Sequence, residues 1–137
     1  MTGRDIIEMY FGAINTEDWE ALGPLFTDDV VLEATGARSR SGRDEVAAYF
    51  PAVLAGYTAH HDLVKRRITD GSTVVAEIHF SGRTSRGQLV EFEAVDVFDL
   101  RDGLIARLSS WYDTARVKAA LSDERYSDRV SALSPEA

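Results

Sequence analysis

The sequence points to an α+β domain, an antiparallel sheet with helices packed on one of its faces. Three features predict it. Apolar residues recur at helical spacing through much of the first 57 positions of the 137-residue chain. From Thr58 onward, β-rich runs are divided by Asp70-Gly71, Arg86-Gly87 and Asp102-Gly103, and strands joined by turns this short form an antiparallel meander. The length suits a single core, and helices segregated from a meander cover one face of its sheet.

The first helix opens at Thr2-Gly-Arg-Asp5, which resembles a capping box with Asp in place of Glu or Gln. Ile6, Ile7, Tyr10, Phe11 and Ile14 then form one apolar stripe. Thr16, Glu17 and Asp18 start a shorter second helix carrying Trp19, Leu22 and Phe26, with its acids placed to suit the helix dipole. Thr27-Asp28-Asp29 breaks it, and residues 30–34 read as a short strand. The segment GARSRSG is a polar loop. Ser41 and Asp44 are set to cap a third helix, with Val46, Tyr49, Phe50, Val53, Leu54 and Tyr57 at helical spacing. Pro51 inside it removes a backbone hydrogen bond and predicts a kink. Strands over 59–68, 73–84, 88–100 and 104–112 follow. Asp113 then caps a last helix, ARVKAAL, so that residues 1–121 form one domain and 122–137 a polar tail.

Composition narrows the functional classes. Fifteen basic against 23 acidic residues leave a net charge of -8, unsuited to nucleic acid or an anionic membrane surface. The one basic cluster, Lys65–Arg66–Arg67, is short, is followed by Asp70 and reads as exposed strand. The chain has no cysteine, which excludes disulfides, thiolate zinc sites and thiol nucleophiles. No segment approaches the roughly 20 apolar residues of a spanning helix, and MTGRDIIEMYFG lacks the apolar run of a signal peptide. A soluble, cytoplasmic protein is expected.

Chemistry concentrates in a few places. In VVAEIHFS, residues 74–81, Val74, Ala76, Ile78 and Phe80 share one strand face, and Glu77, His79 and Ser81 share the other. Facing a cavity, His79 would shuttle protons with Glu77 as base or orienting group. Facing outward, both are surface or dimer-face residues. The turn decides: a two- or four-residue loop near Ser85-Arg86 pairs His79 with Phe92, whereas a three-residue loop ending in Gly87 pairs it with Glu93. Hydrophobic parity favours the second register, because Ile78 and Phe80 then share a face with Phe92 and Ala94. Asp96 follows Phe92 and Ala94 on that apolar parity, and a buried carboxyl must be paired or neutral. Tyr10 lies on the apolar stripe of the first helix, either as core or as a hydroxyl donor. His60 and His61 are adjacent, so only one faces inward, and no third metal ligand accompanies them. Trp111 reads as core or interface.

The stretches MYFGAINTEDWEALGPLFTDDVVLE, SGRDEVAAYF and VDVFDLRDGLIARLSSWYD resemble the nuclear transport factor 2-like superfamily, which includes ketosteroid isomerase, SnoaL-like polyketide cyclases and limonene-epoxide-hydrolase-like proteins. The similarity spans roughly residues 4–120. It implies a cone: a strongly curved antiparallel sheet with three N-terminal helices on its concave face, enclosing an apolar pocket. Tyr10 and Asp96 fall on the isomerase-type oxyanion hole, where a carboxylic acid is kept neutral by an apolar site. The isomerase base should lie in LEATG, and Ala34 takes its place. The epoxide-hydrolase set would fall on His79, Glu77 and Ser110 and is not retained. Phe11, Ile14, Leu32, Phe50, Leu54, Phe92, Ala94, Leu108 and Trp111 are the expected apolar wall, with Asp113 and His61 as further candidates. The implied function is cofactor-free proton transfer, with no metal, on a small hydrophobic carbonyl compound: isomerisation, cyclisation or dehydration, in a homodimer. The alternatives are a non-catalytic binding protein or a dimeric assembly module.

Overall fold

The computed structural model describes residues 5–122. Strands β1 (Phe26–Ala34), β2 (Arg40–Ser41), β3 (Tyr57–Asp70), β4 (Thr73–Thr84), β5 (Leu89–Arg101) and β6 (Leu104–Tyr112) form one sheet in the order β2-β1-β6-β5-β4-β3. The meander β3 to β6 is antiparallel, as the short turns predict. The expectation of an entirely antiparallel sheet needs correction at one edge, where β1 lies parallel to β6 and pairs Leu32 with Leu108 and Ala34 with Ser110. β2, which lies inside the expected polar loop, pairs with β1 at Val31 and Leu32.

Helix α1 (Ile6–Thr16) starts at Asp5, whose carboxylate accepts from the backbone N–H of Ile7 at 2.9 Å and Glu8 at 3.3 Å. Thr2 lies outside the described residues. Glu17, at φ 55°, ends the helix. The short helix α2 (Trp19–Leu22) is capped by Asp18 and runs into a 3-10 turn at Gly23–Leu25. Helix α3 (Arg43–Leu54) continues through Pro51 as one element. It is entered from Gly42 at φ 93° with no side-chain cap, so Ser41 and Asp44 do not cap it. It also ends before Tyr57, which begins β3 instead. Helix α4 (Thr114–Ser122) is capped by Asp113, whose carboxylate accepts from Arg116 N–H at 3.0 Å. The described residues thus hold four helices, and most of the expected tail lies outside them. None of these helices is long and apolar enough to cross a membrane.

The register of β4 against β5 settles the question that the sequence leaves open. Thr84 and Gln88 close a loop of three residues, with Gly87 at φ 82°, where a side chain would be strained. His79 consequently faces Glu93, and Phe80 faces Phe92. On β4, Val74, Ala76, Ile78 and Phe80 are buried while the alternate residues are partly exposed. Register shifts in β3 between Tyr57 and Ala59 and between Val64 and Arg66, and in β5–β6 between Asp99 and Leu100, insert bulges. Bulges bend strands and increase their twist, so the sheet curls around its apolar face. Phe26, Phe98, Leu32, Leu108 and Ile105 are fully buried between that face and the helices.

Candidate active site

Where the curled sheet leaves the helices, a cavity of about 130 Å³ opens between β3–β6 and helices α1, α3 and α4. A cavity near 150 Å³ accommodates a benzene molecule, so the space holds about one ring. Its wall is mostly aromatic: Tyr57 meets Phe80 edge-on with centroids 5.2 Å apart, Phe80 stacks on Phe92 at 4.7 Å, and Phe92 leans on Tyr112 at 5.2 Å. Among the described residues that line it, none is Lys, Arg or His.

Tyr10 reaches the cavity from the buried stripe of α1. Its ring is fixed by edge-to-face contacts with Phe11, Phe26, Phe50 and Phe98 at 4.9–6.5 Å between centroids. Such packing leaves the ring little freedom and aims its hydroxyl. Burial raises the Tyr10 pKa well above 10, and the charges of Asp96 and Asp62 raise it further. The group is therefore a donor across the working pH range.

Asp96 reaches the cavity from the middle of β5, between Ala76 on β4 and Ser110 on β6, and is 8% exposed. Burial pushes its carboxyl from 3.8 up to about 7; the Ser110 hydroxyl works the other way and the charge of Asp62 adds to the rise. Near neutrality much of Asp96 is a protonated acid, able to donate.

Asp62 is the second carboxyl of the cavity. It stands on β3 opposite Phe80, and burial raises it to about 6 against the opposing charges of His60 and His61. Asn15 of α1 holds its backbone at both groups: the Asp62 N–H donates to Asn15 Oδ1 at 2.8 Å, and Asn15 Nδ2 donates to the Asp62 carbonyl at 3.0 Å. Burial also raises Tyr49 and Tyr57 to about 12 each.

Of the residues singled out from sequence, Tyr10, Asp96, Ile14, Phe50, Leu54, Phe92 and Ala94 meet at this cavity. Phe11, Leu32 and Leu108 do not line it; they lie in the core. Trp111 is on the outer face opposite Val95 and is 60% exposed, because beyond the β5–β6 register shift Arg107 and Trp111 point away from the cone while Leu108 and Ser110 point into it. Glu77 and His79 are also outside, a correction to their reading as pocket groups. Glu77 takes a two-pronged hydrogen bond from Arg66 at 2.8 and 3.1 Å, and His79 lies between Glu91 at 3.0 Å and Glu93. Those two glutamates raise the His79 pKa. His61 is exposed opposite Ser81, while His60 bonds Glu17 at 2.7 Å. Asp113 caps α4. The described residues contain no group of three His, Cys, Asp or Glu able to hold a metal.

Sequence reasoning missed Asp62, Tyr49, Tyr57, Tyr112 and Ser110 as wall residues. Strand parity carried a signal for two of them: in register, Asp62 shares the face of Phe80, and Ser110 that of Asp96.

Comparisons with known proteins agree with the fold. Residues 7–108 match the model of the SnoaL-like domain. No curated protein matches the sequence. Among solved structures, a proposed polyketide cyclase from Sinorhizobium meliloti is 28% identical over 80% of this chain and 95% of its own, with a TM-score of 0.67. An LEH-like epoxide hydrolase from M. tuberculosis is 21% identical over 96% of this chain and 94% of its own, with a TM-score of 0.74. A proposed SnoaL-like polyketide cyclase from Jannaschia sp. CCS1 is 17% identical over 85% and 89%, with a TM-score of 0.78. The last two, at this identity, share the fold.

Proposed function

Because the chain belongs to the family of SnoaL-like domains, we propose that it catalyses cofactor-free proton transfer on a small, mostly apolar carbonyl compound of about one ring. The observation that carries this reading is the convergence of Tyr10 and a buried Asp96, whose carboxyl is raised to about 7, in one small aromatic cavity. Removing a proton from the carbon beside a carbonyl moves negative charge onto the oxygen. Two fixed donors in a site of low dielectric stabilise that charge without reorganising, often the largest single catalytic contribution. Ala34, buried and paired with Ser110, offers no acid where an isomerase of this fold carries its base. The reaction is then an isomerisation, cyclisation or dehydration with the proton handled from another position.

Phenols of graded acidity test the reading, since a phenolate imitates an enolate oxygen. Wild type should bind them, and Tyr10→Phe and Asp96→Asn should each weaken binding by roughly tenfold or more, the loss of one charge-assisted hydrogen bond. Absence of phenol binding, or affinities unchanged by both substitutions, refutes the reading. Phenol binding without turnover of any carbonyl compound would favour a binding protein instead.

A further inference from the structure

We propose that Asp62 is the proton acceptor of this site, a role that rests on the oxyanion reading of Tyr10 and Asp96. Three observations lead to it. First, the described cavity wall has only two carboxyls and no Lys, Arg or His; its other polar groups are the Ser110 hydroxyl and tyrosines, of which Tyr10, Tyr49 and Tyr57 are held in the phenol form. With Asp96 engaged as a donor, Asp62 is the remaining group that can take a proton. Second, Asp62 enters from β3 while Tyr10 and Asp96 enter from α1 and β5, so base and donors come from different elements across one small space. Enolisation uses groups from more than one side, because the carbon that loses its proton and the oxygen that gains charge are different atoms of the reacting fragment. Third, Asn15 saturates the N–H and C=O of Asp62 at 2.8 and 3.0 Å, which fixes the residue while leaving its carboxylate without a hydrogen-bond partner among the described residues. A base must keep an unoccupied lone pair at the substrate.

The groups around Asp62 support its ionisation ahead of Asp96. His60 and His61 on its own strand favour the charged form, whereas Asp96 gains only the Ser110 hydroxyl and suffers the charge of Asp62. Tyr10 faces both from α1. In the step itself, the C–H bond beside the carbonyl breaks, its proton forms an O–H bond on Asp62, and the electron pair moves through the new C=C bond onto the oxygen held by Tyr10 and Asp96. Asp62 then returns the proton to another carbon, or to a leaving oxygen. No oxidant, reductant or metal enters the balance.

The test uses the full chain and one probe, cyclohexanone in D2O, with deuterium uptake beside the carbonyl followed by NMR, and phenol affinity measured on the same samples. Asp62→Asn should slow uptake by about 100-fold or more, the usual contribution of a general base, while phenol affinity is kept or rises, because a negative charge facing the bound phenolate is removed. Asp62→Glu should recover part of the rate, and added formate should restore uptake to Asp62→Ala, which an ordering role alone does not predict. Uptake by Asp62→Asn within about threefold of wild type overturns the proposal, as does a wild type that binds phenol yet exchanges no faster than buffer. Loss of phenol binding together with exchange in Asp62→Asn also overturns it, assigning Asp62 to the shape of the cavity. If Asp62→Asn does not fold, the Asp62→Glu and formate arms decide. Failure of wild type to bind phenol strikes the oxyanion reading itself.

Discussion

Replacing Asp96 with asparagine should change how the stability of this protein depends on pH, and the size of the effect follows from where the carboxyl sits. Burial raises it from 3.8 to about 7. In the unfolded chain an aspartate titrates near its ordinary value of about 3.9. A carboxyl raised by folding supports stability fully below its unfolded value, and that support is lost as the pH climbs to its folded value. A difference of about three pH units, at about 1.4 kcal/mol each, makes the whole loss roughly 4 kcal/mol. Between pH 5 and pH 8 about 2–3 kcal/mol of it falls, because the unfolded aspartate is already ionised at the lower pH. Asparagine has no proton equilibrium, and whatever its packing costs is the same at both pH values. Relative to wild type, Asp96→Asn should therefore gain about 2–3 kcal/mol between pH 5 and pH 8, read from urea unfolding at each pH. For a domain of this length that is roughly 10 °C of relative Tm. Parallel pH profiles for the two proteins would refute a buried Asp96 whose carboxyl is raised to about 7.

Three other substitutions separate the pocket from its surroundings. Tyr10→Phe keeps the ring contacts with Phe11, Phe26, Phe50 and Phe98, so its stability in urea should stay within about 1 kcal/mol of wild type while phenol affinity falls. His79→Gln removes a side chain bonded to Glu91 and Glu93 on the outer face, and phenol affinity should change by less than about twofold; a large loss would return His79 to the site. Gly82→Ala places a Cβ 2.7 Å from the Tyr57 ring and 2.9 Å from Phe80. The aromatic wall must shift, and thermal unfolding should show a loss of about 1–3 kcal/mol together with weaker phenol binding.

Much of the fold was legible because its signals are local. Gly87 is the residue that a three-residue hairpin loop wants at its positive φ, and hydrophobic parity in VVAEIHFS agrees with the same register. Asp96 could be found because it interrupts an apolar parity between Ala94 and Phe98. Asp62 was hidden for a related reason. β3 is an edge strand with bulges on both sides of residues 59–64, so the parity that places Asp62 on the face of Phe80 shows only once the register against β4 is known. β2 is too short for any pattern, and its pairing depends on β1 being present. Tyr57 fits the helical spacing of α3, but the helix ends at Leu54 and the tyrosine begins β3, paired with Thr84 of β4. The parallel seat of β1 beside β6 is a tertiary choice that no local signal encodes.

Tyr10 and Asp96 are expected to donate to a single oxygen in the cavity. A crystal structure with bound phenol tests it most directly. The phenol ring should lie against Phe80 and Phe92, with its oxygen within about 3 Å of both the Tyr10 hydroxyl and an Asp96 carboxyl oxygen. A phenol whose oxygen turns toward the mouth of the cavity, touching neither group, would contradict it.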